Sequence, residues 1–425
     1  MKTKTLLMCL VAAICIWGCS NDNESVIDVA EAEITPPTAP NSADTRHSYK
    51  PVQLSETQLA INGKLQEFSW RLFKEVYVNR EDRTNLMISP ISLAVDLGMF
   101  INGLNGETLQ EVLKTMGLEG FTKDQINDYF KTMMTGIEQA DEAAIFKSAN
   151  AFWYNQNRKA NQDFLTTIQT SYDAKAEAVN FSDPQTVVKI NAWCAEQTYD
   201  RIKEMITESS EADLFHLMNA VFFKTQWKEA FPKELTAKQP FKFANGNTED
   251  VEMMNQQYKA FYVETDSYQS VVKDFVDSAF QMVFFLPKDG IDMIERLPSV
   301  ISKEAGSLEK VVEMDLFVPK FTAEYTERKL FTYMLSINPA LRFHANDITI
   351  FEDAIFEDPE AMQKTFFAMD EEGAEAAAIT DISYVTANLK PDDFEKVELR
   401  LNRPFFYAIV ESNTYCPLFI GYYGN

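Results

Sequence analysis

Asp370-Glu371-Glu372-Gly373-Ala374-Glu375-Ala376-Ala377-Ala378-Ile379-Thr380-Asp381 is the stretch on which the reading of this chain turns. Gly373 supplies a flexible joint, and no proline follows before Pro391. Alternate residues of a strand point to one face. As a strand, the segment sends Ala374, Ala376, Ala378 and Thr380 to that face, all small enough to slip between packed neighbours. Glu375, Ala377, Ile379 and Asp381 fall on the other face, nearer water. Alanine and glutamate are also strong helix formers, and propensity alone favours a helix here. A segment that suits a solvated loop, a helix and a buried strand has the composition of a conformational switch.

Glu371-Glu372-Gly373-Ala374-Glu375-Ala376-Ala377-Ala378 resembles the hinge of the serpins, the serine-protease-inhibitor family. Leu399-Arg400-Leu401-Asn402-Arg403-Pro404-Phe405-Phe406-Tyr407-Ala408-Ile409, at the expected distance, resembles the family's C-terminal signature. The likeness extends from about Leu54 to Tyr422. It implies an α+β fold: a large mixed central β-sheet, two further sheets, about nine helices and an exposed reactive-centre loop from about Glu371 to Val397.

The body of the chain supports this in order. Ser55-Glu56-Thr57-Gln58 is a capping box, followed by Leu65, Phe68, Leu72 and Val76 at helical spacing. Asn85 to Ala94 resembles the family's short strand running into a helix, with Ser89 as cap and Pro90 in the first turn. Ser89 and Ser92 sit among apolar residues, so each hydroxyl needs a partner. By resemblance, Ser89, Ser92, Asn219 and Gln363 form the shutter beneath the parting sheet. Gln363 stands where the family has a histidine and cannot take up charge. Ser148–Tyr154 alternates as a strand. Ile190–Cys194, with Thr198 and Ile202, resembles the helix covering the main sheet. Trp227, after Asn219–Lys224, matches the tryptophan at the top of that sheet, and Val311–Pro319 reads as another strand.

Both ends of the chain carry further signals. Met1-Lys2-Thr3-Lys4-Thr5 precedes an apolar run from Leu6 to Trp17, too short to span a bilayer comfortably. With Cys19 it resembles a bacterial lipoprotein signal, though Trp17 departs from the usual small residue. Ser20-Asn21-Asp22-Asn23-Glu24 resembles the surface-export tag of Bacteroides-type outer-membrane lipoproteins. The expected division is a signal peptide at 1–18, lipidated Cys19 with an acidic disordered tether at 19–50, and one domain at 51–425. The expected location is the outer membrane, exposed on the cell surface and held only by the N-terminal lipid.

Net charge is −25, which argues against nucleic-acid and heparin-like partners. Cys194 and Cys416 are too few for a disulfide framework and read as buried thiols. The histidines are His47, His216 and His344. No Gly-x-Ser-x-Gly elbow, His-Glu-x-x-His helix, Cys-x-x-Cys pair or glycine-rich phosphate loop accompanies them. The chain reads as a non-enzyme without metal or cofactor, a monomer whose partners are serine proteases.

The resemblance implies a covalent trap. A protease attacks the loop, and the cut upstream half enters the central sheet as a new strand, carrying the acyl-enzyme with it. Family spacing puts the attacked carbonyl on Ala387, before Asn388. Val385-Thr386-Ala387 suits an elastase-like pocket and Tyr384 a chymotrypsin-like one. The long downstream half leaves Thr386, Asn388 and Leu389 as alternatives, and Pro391 makes Lys390 a poor bait. In the hinge, Ala374 replaces the family's usual threonine or serine, and Ile379 is larger than usual. Two other readings are a non-inhibitory serpin-fold binding module and a surface nutrient-capture lipoprotein. The small residues of the hinge argue against the first, and the second needs no hinge.

Overall fold

Ser55 and Gln58 cap each other's backbone, as their spacing predicts, and launch α1 (Glu56–Asn79). Ile61, Leu65, Phe68, Leu72 and Val76 form its buried stripe. The computed structural model describes residues 49–80, 85–291, 293–294, 297, 310–353, 363–374 and 394–424. Cys19, Glu375, Ala376, Ala377, Ala378, Ala387 and Asn388 lie outside them.

Among the described residues there are seven α-helices, against the nine or so expected. After α1 come α2 (Pro90–Phe100), α3 (Gly106–Met116), α4 (Lys123–Glu138), α5 (Gln162–Tyr172), α6 (Pro184–Gln197) and α7 (Leu330–Ile337). Asp183 caps α6, which carries Pro184 in its first turn. The helix stops at Gln197, so Thr198 and Ile202 lie beyond it. The Thr198 hydroxyl turns the chain by accepting from the Ile202 amide at 3.0 Å.

The strands in chain order are β1 (Leu86–Ile88), β2 (Ile145–Asn155), β3 (Lys175–Val179), β4 (Phe215–Gln226), β5 (Ala237–Lys242), β6 (Thr248–Glu264), β7 (Tyr268–Asp274) and β8 (Phe280–Pro287). Then follow β9 (Val311–Pro319), β10 (Phe321–Glu327), β11 (Gln363–Met369), β12 (Gly373–Ala374), β13 (Lys396–Arg400), β14 (Phe405–Glu411) and β15 (Pro417–Tyr423). The central sheet runs β10-β11-β12-β4-β2-β3. It is mixed: β3 lies parallel to β2, and the other pairs are antiparallel.

The two further sheets are continuous. They form one nine-stranded path, β1-β15-β14-β8-β7-β6-β9-β13, with β5 beside β6. The reason is β6, 17 residues long, which pairs β5 and β9 along most of its length. It then pairs β7 only through Tyr262–Glu264. Strands β14 and β15 are buried along their whole length, so they read as unbroken apolar runs rather than alternating ones. Gly421 faces Tyr407 across that pair, and a Cβ there would sit 2.1 Å from the phenol ring.

One large core joins the helices to both sheets. A second, smaller core lies between α6 and the central sheet, where Trp153, Trp193, Cys194 and Met218 meet. Cys194 and Cys416 are both free and buried. Burial pushes the Cys194 thiol up to about 11, so it stays protonated at neutral pH.

Candidate functional site: the hinge and the top of the central sheet

The chain leaves β11 at Met369 and re-enters the same sheet four residues later. Asp370 makes the turn possible. Its carboxylate accepts from the amides of Glu372 at 2.9 Å and Gly373 at 3.2 Å, and its own amide donates to the Gly373 carbonyl at 3.0 Å. Only glycine fits next. A Cβ on Gly373 would lie 2.2 Å from the Thr225 carbonyl oxygen and 2.6 Å from the Gln226 Cα. Gly373 and Ala374 pair with Gln226 and Thr225 of β4, and Ala374 also pairs with Met369 of β11. Ala374 is fully buried. The propensity for helix is overruled at these two residues, where β4 and β11 each offer a strand edge. Among the described residues, β4 and β11 share no ladder of their own and are bridged in the sheet by β12.

A short segment after β4 grips the hinge from above. The Trp227 amide donates to the Glu372 carbonyl and the Phe231 amide to the Glu371 carbonyl, both at 2.8 Å. The Trp227 indole Nε1 donates to the Asp370 carbonyl at 2.9 Å. Its ring stacks on Phe275, with centroids 4.4 Å apart and planes 6° from parallel. Trp227 therefore stands against the turn that leads into β12.

The two hinge carboxylates are held as well. Glu371 is 7% exposed and accepts from Thr236 Oγ1 and Lys320 Nζ, each at 2.9 Å. Burial would raise its pKa, but these donors outweigh burial and bring it below the usual carboxylate range. Glu372 pairs with Lys233. The lysine ends are solvent-exposed, so each pair contributes modestly.

Lower in the sheet, the expected shutter resolves into two groups. In the first, the Gln363 amide pairs with the Ser89 backbone like a strand neighbour. Its Oε1 accepts from the Ser89 N–H and its Nε2 donates to the Ser89 carbonyl, both at 2.8 Å. Thr365 Oγ1 donates to the Met87 carbonyl at 2.7 Å beside it. An amide serves here because both functions are needed at once, a donor and an acceptor. In the second group, Asn219 Nδ2 donates to Ser148 Oγ at 2.7 Å and Asn150 Oδ1 at 2.5 Å. No bond joins Asn219 to Ser89 or Gln363 among the described residues. Ser92 is buried in α2.

The Ser89 hydroxyl departs from expectation. It makes no side-chain cap on α2 and, though buried, has no partner among the described residues. The Ser89 carbonyl alone starts the helix, accepting from Leu93 at 3.4 Å. Sequence reasoning missed Lys233, Thr236 and Lys320 around the hinge, and Ser148, Asn150 and Thr365 in the shutter. Ser148 and Asn150 stand two apart on the strand that the alternation predicts and so share one face, which is the signal the sequence offers.

Fold and hinge together define a serpin. The family description "Serpin (serine protease inhibitor)" matches residues 63–425, and the chain belongs to that family. Alpha-1-antiproteinase of Rattus norvegicus is 28% identical over 377 residues, covering 86% of this chain and 89% of that protein. The thermophilic serpin tengpin in its native state superposes with a TM-score of 0.76 at 28% identity, covering 89% of this chain and 98% of that one. Tengpin in its latent state gives 0.71 at 27% identity, covering 88% and 100%.

Proposed function

We propose that this serpin inhibits serine proteases covalently, by inserting its cut reactive loop into the central sheet. The observation that carries the reading is β12. Gly373 and Ala374 already stand as a strand between β4 and β11, with their turn clamped from above. Whatever follows Ala374 needs only to continue a strand already begun. A loop member that did not insert would have no use for small residues there. The protease's serine oxygen attacks a loop carbonyl, the peptide nitrogen leaves with a proton, and an ester joins the two proteins. Carried away with the moving strand, the ester sits in a distorted active site whose oxyanion donors no longer face it.

The bait is Ala387, which favours elastase-like proteases, with chymotrypsin-like enzymes reading Tyr384 next. The test is to mix the mature protein with elastase-, chymotrypsin- and trypsin-like enzymes. The expected result is an adduct that survives SDS, mapped by mass spectrometry to one residue between Tyr384 and Lys390. Clean cleavage with full recovery of protease activity contradicts the reading. We further propose that Cys19 carries a lipid and holds the inhibitor at the outer membrane. Cys19→Ser is then expected to move the protein from the membrane fraction to the soluble one, and its retention there contradicts the anchor.

A further inference from the structure

Trp227 and Phe231 hold the hinge by their backbone amides, so the chain between them decides how firmly it is held. Beneath that chain lies Lys273, on β7. It is 1% exposed, the most deeply buried cation among the described residues. Its Nζ donates to the Glu229 carbonyl, midway between Trp227 and Phe231, at 2.9 Å. A second bond runs to Gln256 Oε1 on β6 at 2.5 Å. Three rings face the ammonium: Phe231 and Tyr258 with centroids at 4.4 Å, and Trp227 at 5.3 Å. Two of those rings belong to the residues that grip the hinge. A buried cation costs free energy that a leucine or methionine in the same space would not. Here it is aimed at a carbonyl inside the gripping segment, which the Lys228 amide also ties to the Asp274 carbonyl at 3.1 Å.

Resting on the inhibitory reading above, we propose that Lys273 is a positioning residue for the hinge: it pins the Trp227–Phe231 segment from below, and its protonation state sets how readily that segment releases. Around it are Glu229 and Asp274, whose charges favour the ammonium, and Gln256 and Tyr258, which carry none. Asp274 is itself shared with Lys228 at 3.5 Å and with Ser278. Desolvation outweighs the two carboxylates and lowers the Lys273 pKa from 10.5 to about 7.

The sign follows from linkage. A closed segment holds a dry amine that prefers to be neutral. An opened one admits water, and the amine's pKa moves back towards its ordinary value. Closure is therefore firmest at high pH, weakens as pH falls from about 10 towards 7, and is flat below 7. With the amine only partly hydrated on opening, the release equilibrium changes about tenfold between pH 9 and pH 7.

The test is amide hydrogen exchange of the mature protein, read as protection factors at Trp227 and Phe231 so that the intrinsic pH dependence divides out. Wild type is expected to lose protection about tenfold from pH 9 to pH 7, and Lys273→Met, of similar length, to show a flat profile. Gln256→Glu supplies a partner carboxylate that keeps the amine charged when closed. It is expected to raise protection at pH 7 and shrink the slope, and it carries the test if Lys273→Met does not fold. A wild-type slope retained in either folded variant overturns the proposal. The exchange result is independent of any protease. Failure to form an adduct would sink the inhibitory reading alone, and unchanged slopes would sink the role of Lys273 alone.

Discussion

Ala374→Arg is expected to abolish the SDS-stable adduct, at least tenfold, while leaving a folded protein that proteases cut and release. Ala374 has no exposed surface and sits between Thr225 and Met369 in the middle of the sheet. A guanidinium in that place would be an unpaired buried charge, which costs several kcal/mol. The ladder bonds that hold two residues of strand return about 1 kcal/mol each. The charge wins, and the hinge stays in water with everything downstream of it. The two residues of β12 are a small part of a six-stranded sheet, so thermal unfolding of the uncut variant should remain cooperative. Ala374→Ser keeps the size, adds a hydroxyl that can bond locally, and is expected to retain adduct formation. Full adduct yield from the arginine variant would mean that the hinge does not insert.

The hinge was legible because its chemistry is local. A glycine, a run of small residues and the lack of proline lie side by side from Gly373 to Ala378. Why Gly373 must be glycine was not legible, since the atoms it would strike belong to Thr225 and Gln226. The electrostatic setting was hidden for the same reason. Glu371 meets Thr236 and Lys320 from 135 and 51 positions away, and Glu372 meets Lys233 from 139. Ion pairs leave no periodic trace, so no window of sequence announces them. Lys273 carries no local signal, since its partners Glu229 and Gln256 stand 44 and 17 positions away.

The helices and strands were recovered where period and caps agreed, as in α1 with its capping box. The continuous outer sheet was not. Thr248–Glu264 has no glycine or proline to divide it, yet its polar and apolar positions do not say which partners it takes. Of the polar residues lower in the sheet, Ser89, Ser92, Asn219 and Gln363 were named from sequence, but Ser148, Asn150 and Thr365 were not, and neither was the grouping. Resemblance placed Asn219 with Ser89, whereas side-chain length and register pair it with Ser148 and Asn150.

The second large effect is thermal. Cleavage in the loop removes the tether that keeps the upstream half out of the sheet, and about fifteen residues from Gly373 onward make a strand of ~50 Å. At about 1 kcal/mol per new ladder bond, insertion contributes on the order of 10 kcal/mol. Unfolding entropy near 2 cal/mol/K per residue converts that into a rise of about 10 °C or more for a domain of this size. The uncut form is then a trapped state whose lifetime is set by a barrier, so both forms must be heated at one scan rate. The measurement is calorimetry of the protein before and after a single cut mapped between Tyr384 and Lys390. The account predicts a cut protein that melts at least 10 °C higher. A cut protein that melts at or below the temperature of the intact one contradicts it.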